Sequence, residues 1–122
     1  MKIISDELHA ALDYLTVVIF ALAPAVIGLS SLAALISYLL AVVHLAMTLM
    51  TDAPFSYAKL VPIRLHALVE AVIGPVLVVG GLISPGPWPA RVFFVSMGMI
   101  IFAVWVLSSC GLSRGRSGTR VA

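Results

Sequence analysis

The chain has 122 residues, 62% hydrophobic and 10% charged, with a formal net charge of +2 and a mean hydropathy of +1.20. Soluble domains carry about a quarter charged residues, so this composition excludes a water-soluble globule, and no nucleic-acid partner is expected. It predicts an all-α integral membrane protein: one domain over residues 1–111 with four crossings, a basic tail over 112–122, and no separate soluble catalytic module.

Met1 to Glu7 is a short polar lead carrying Lys2, Asp6 and Glu7. It has no small-residue cleavage site before a long apolar run and reads as an uncleaved start. The first crossing is expected from Leu8 to Leu29, about 33 Å at 1.5 Å per residue, which is enough for a bilayer core of roughly 30 Å. Pro24 removes the amide that would bond the Phe20 carbonyl and should kink the far half. Gly28-Leu29-Ser30-Ser31 is an uncharged tight turn, which makes crossings one and two an antiparallel hairpin.

The second crossing, Leu32 to Thr51, carries Ser37, Ala41, His44, Thr48 and Thr51 on one stripe, expected to face protein and not lipid. Asp52 to Ile63 is the longest loop, punctuated by Pro54 and Pro62 and carrying Lys59. The third crossing, Arg64 to Ser84, contains Gly74-Pro75, and Pro75 cannot bond the Ala71 carbonyl. Ser84 to Pro89 is a stiff turn with an interfacial Trp88. The last crossing, Ala90 to Cys110, leads to a tail rich in Arg, Ser and Gly. The single cysteine, Cys110, excludes an intrachain disulfide and any CxxC motif, and reads as a small apolar residue near a helix end.

Four crossings place Lys2, Lys59, Arg64, Arg114, Arg116 and Arg120 on one side and only Arg91 on the other. This bias predicts that both termini are cytoplasmic. Arg64 is expected to snorkel to water.

The first and third crossings repeat a pattern. His9 and Asp13 are four residues apart, as are His66 and Glu70, and the second pair follows the first by 57 residues. Residues four apart share a helix face, so each crossing presents an imidazole beside a carboxylate. Ionisable groups in hydrocarbon cost roughly 2.5 to 3.5 kcal/mol each on insertion scales, and several together are a functional hypothesis by default. With this topology Asp13 lies about 6 Å deeper than His9, His44 about 10 Å in, and Glu70 about 9 Å in. Nearly every ionisable group in the membrane then falls in one layer. The offset implies two hairpins of the same direction related by a pseudo-two-fold axis along the membrane normal, with His44 as the asymmetric member, because Ile101 stands at its counterpart position.

Four readings of this layer stand open. One is structural, with each histidine paired to its own carboxylate and the chain serving as an accessory subunit of a homo-oligomer or a larger membrane complex. Another is a transition-metal site in which His9, Asp13, His44, His66 and Glu70 supply ligands suited to Zn, Fe, Mn or Ni. Four-helix bundles build dimetal sites from Glu-x-x-His, and the spacing here is His-x-x-x-Glu. A third is haem b held between His9 and His66. The last is a proton relay or a small proton-coupled transporter. The leading reading is divalent metal binding. No catalytic residue can be named, because neither an open coordination position nor a substrate route is legible. Trp105 and Tyr14 are candidate lining residues, and the methionines read as packing.

His9-x-x-x-Asp13-Tyr14, Ala23-Pro24 and Gly28-Leu29-Ser30 resemble the small bacterial membrane proteins grouped as SPW-repeat proteins. Ala23-Pro24-Ala25 stands where those carry Ser-Pro-Trp, and Pro87-Trp88 lies in a loop. The resemblance implies a four-helix fold in the bacterial inner membrane and no mechanism.

Overall fold

A computed structural model describes residues 3–118, with side chains described as far as residue 108. Lys2 and Arg120 therefore lie outside the described residues, as do the side chains of Cys110, Arg114 and Arg116. Among those described, the chain is a bundle of four helices: α1 (Asp6–Ala23), α2 (Ser31–Met50), α3 (Ile63–Ile83) and α4 (Trp88–Gly118). The last begins ahead of the expected Ala90, and its backbone stays helical to Gly118.

Helix α1 starts where Ser5 caps it. The Ser5 hydroxyl accepts the Leu8 amide at 3.1 Å, and Asp6 and Glu7 occupy the first turn against the positive end of the helix dipole. At Pro24 the α-helix gives way to a single π-helical turn, Pro24–Gly28, closed by Leu29 N–H donating to the Pro24 carbonyl at 3.1 Å. Gly28 ends it at φ +72°, a left-handed conformation that glycine adopts without steric cost. The Phe20 carbonyl left free by Pro24 accepts the fully buried Ser37 hydroxyl of α2 at 2.6 Å. The expected proline defect is thus taken up as a bond between helices.

The loop after α2 folds back over the end of that helix. Tyr57 and Ala58 amides donate to the Leu49 carbonyl, and Leu60 and Val61 amides to that of Met50. These are the carbonyls that a helix C-terminus leaves without intrahelical partners. Tyr14 OH donates to the Phe55 carbonyl at 2.6 Å, tying the loop to α1. Tyr14 is therefore a loop anchor and is not among the residues lining the cavity described below.

Within each half the helices pack along their length, α1 on α2 and α3 on α4. Gly74 and Gly98 set the closeness of the second pair: a Cβ on Gly98 would lie 2.5 Å from the Gly74 carbonyl oxygen. Backbone contact of this kind is how small residues hold helices together in lipid, where apolar side chains gain little by leaving their surroundings. Arg91 donates to the Gly81 and Leu82 carbonyls at 3.2 and 2.7 Å, so it also caps the end of α3.

The polar stripe of α2 faces inward as expected, with Ser37, Ala41, Thr48 and Thr51 buried. In the half of the bundle away from the 51–62 loop, Phe20, Ala23, Ala41, Leu77, Phe93, Met97 and Ile101 form an apolar core. Leu15, Val42, Val72 and Ile100 are each more than half exposed, one from each helix. All four helices are long and apolar enough to cross a membrane. Small and polar groups inside and aliphatic groups outside suit a lipid surround.

Candidate metal centre

Each helix brings polar groups to one layer between the apolar core and the loop. From α1 come His9 and Asp13, from α2 His44, from α3 His66 and Glu70, and from α4 Ser108. Asp13, His66 and Glu70 are buried, at 5, 2 and 4% exposure. His9 and His44 keep 13 and 16% of their side chains accessible.

All five residues named from the sequence are brought together. His9 Nε2 lies 3.5 Å from Asp13 Oδ1 and 3.3 Å from Glu70 Oε2. His66 Nε2 lies 3.3 Å from Asp13 Oδ2 and 3.3 Å from Glu70 Oε1. His44 Nε2 lies 3.5 Å from Asp13 Oδ1. One donor atom from each of His9, Asp13, His66 and Glu70 falls within 4.8 Å of the others, so this group could hold a metal ion. Bonds of about 2.0–2.1 Å to a tetrahedral ion put its ligand atoms roughly 3.3 Å apart, close to the observed spacing.

Two residues that the sequence reading did not assign to the site orient its imidazoles. Ser108 Oγ lies 2.6 Å from His9 Nδ1, and Thr51 Oγ1 lies 2.7 Å from His66 Nδ1. The Thr51 hydroxyl has one proton and donates it to the Met47 carbonyl. It must therefore accept from His66, which puts a proton on Nδ1. In the neutral imidazole, Nε2 then carries a lone pair and faces two carboxylate oxygens. Three acceptors converge there, and a cation between them, a proton or a metal ion, relieves the repulsion. His9 Nε2, His44 Nε2 and Glu70 Oε2 are buried with no hydrogen-bond partner among the described residues. A signal for the orienting residues did exist in the sequence. Ser108 follows Thr51 by the same 57 residues that relate the two histidine-carboxylate pairs.

A cavity of about 130 Å³ adjoins the layer, lined by His9, Asp13, His66, Glu70 and Trp105 and reaching Asp6, Asp52 and Pro54 at the loop end. It is well below the ~300–1,000 Å³ of pockets that enclose larger organic ligands. The two carboxylates occupy the space between His9 and His66, whose ring centroids are 6.0 Å apart at 72°. That arrangement leaves no slot for a porphyrin between the two rings. Arg64 is exposed, in keeping with an interfacial arginine.

No protein-family model, curated protein or solved structure matches the chain.

Proposed function

We propose that the protein binds a divalent transition metal, of the class Zn, Fe, Mn or Ni, at His9, Asp13, His66 and Glu70, with His44 beside them. The observation that carries this reading is the position of His66. Thr51 commits its Nδ1 to a proton, and its Nε2 faces Asp13 Oδ2 and Glu70 Oε1 at 3.3 Å each. Metal-bound histidines commonly have the other ring nitrogen held by an oxygen acceptor, which fixes both tautomer and direction.

Storage, sensing or transfer of the ion suits the fold better than conduction, because the apolar core closes the far side of the layer. In the proposed orientation the loop end faces the cytoplasm of a bacterial cell, with Lys59 and Arg64 on that side and Arg91 opposite. A structural reading draws on the same contacts. His66 Nε2 lies within hydrogen-bond distance of Glu70 Oε1, so a protonated imidazole would satisfy the cluster without metal.

Zinc titration of the detergent-purified chain separates the two readings. Asp13→Asn with Glu70→Gln keeps the side-chain shapes and removes both charges. The metal reading predicts stoichiometric Zn²⁺ uptake by the native chain and at least a hundredfold weaker uptake by the folded double variant. A folded native chain that takes up no zinc would overturn it.

A further inference from the structure

We infer that the centre is built for two ions bridged by Asp13 and Glu70. This rests on the metal-binding reading above and gives it a stoichiometry. The observation is how the carboxylate oxygens are shared. Asp13 turns Oδ1 to His9 and Oδ2 to His66, while Glu70 turns Oε2 to His9 and Oε1 to His66. A single ion would use one oxygen from each carboxylate and leave at least one imidazole facing an unused oxygen. Two ions use all four oxygens.

The donors fall into two groups. His9 Nε2, Asp13 Oδ1 and Glu70 Oε2 form one, with spacings of 3.5 and 3.3 Å from the nitrogen. His66 Nε2, Asp13 Oδ2 and Glu70 Oε1 form the other, at 3.3 Å each. Each spacing is close to that of neighbouring donors on a tetrahedral ion with bonds of about 2.0–2.1 Å. Carboxylates shared in this way hold paired ions about 3.5–4 Å apart in dimetal centres. The supporting hydroxyls follow the same pattern, with Ser108 on His9 and Thr51 on His66.

His44 is the one imidazole of the layer outside both groups. His44 Nε2 lies 3.5 Å from Asp13 Oδ1, and its ring centroid lies 5.9 Å from that of His66. Its counterpart by the 57-residue offset is Ile101, which has no donor atom. Each group therefore supplies three protein donors to its ion and leaves a fourth position for water or an oxygen ligand. An incomplete shell of this kind is the arrangement found where metals do chemistry. Asp6 and Asp52 line the loop end of the adjoining cavity, Asp52 paired with Lys59 at 3.5 Å.

The test counts Zn²⁺ per chain by elemental analysis after saturation and desalting of the full chain in detergent. The same protein loaded with Mn²⁺ is examined by electron paramagnetic resonance. Two zinc ions per native chain and exchange-coupled manganese are expected. One ion per native chain, with isolated manganese signals, would overturn the paired centre and leave the metal-binding reading standing. Zero ions would overturn both. Two uncoupled ions would place the second outside this centre and overturn the inference.

Discussion

Thr51 carries the hydroxyl that decides which nitrogen of His66 is free. Its proton goes to the Met47 carbonyl, its lone pair receives Nδ1–H, and the ring is held with Nε2 toward the carboxylates. Thr51→Val keeps the shape and removes both bonds, so zinc affinity should fall about 10- to 100-fold in a chelator-competition titration. Thr51→Ser should retain most of it. Equal affinity in the valine and serine variants would show that the hydroxyl does not orient the ligand. At this scale the clustering of His9, Asp13, His66 and Glu70 was legible from sequence, because charge in an apolar segment is conspicuous and four-residue spacing fixes a common face. The hydroxyls were less legible. Serine and threonine are ordinary in membrane helices, and only the 57-residue offset set Thr51 and Ser108 apart.

Between helices, the bond from Ser37 to the Phe20 carbonyl repairs what Pro24 breaks. Ser37→Ala should lower stability by about 0.6–1.7 kcal/mol, the range for interhelical hydrogen bonds in membranes, read from unfolding in mixed detergent. In the Pro24→Ala background the carbonyl regains an amide four residues on, and the same substitution should cost much less. This coupling is measured by a double-mutant cycle. Additive losses would contradict the pairing. The sequence shows the missing amide, since proline's chemistry is local. Which side chain answers it depends on how α1 and α2 rotate against each other, and the sequence pattern indicates only that Ser37 faces protein. The α3–α4 contact was hidden for a related reason. Gly74 and Gly98 are far apart in sequence, and their role follows from a backbone approach that only the packed pair displays.

The whole molecule is organised inside out around one polar layer. Aliphatic side chains cover the outside of the four helices, an apolar core fills the half beyond the layer, and the 51–62 loop folds over the other end. Helix lengths and charge positions were enough to anticipate that the ionisable groups share a level along the bundle, because rise per residue and antiparallel connection convert sequence position into height. They were not enough to show that α4 supplies a site residue, since Ser108 carries no charge. Membrane orientation enters as part of the proposal, through the placement of Lys59 and Arg64 at the site end and Arg91 at the other.

The central claim is that this buried layer is a metal centre. Its most direct test is elemental analysis of the chain as purified in detergent from cells, without added metal, beside His66→Ala prepared in the same way. A metal centre predicts a transition metal in stoichiometric amount in the native chain and its loss in the variant, with both retaining helical circular dichroism. A native chain that is folded and free of transition metal, or a variant that keeps its full complement, would contradict it.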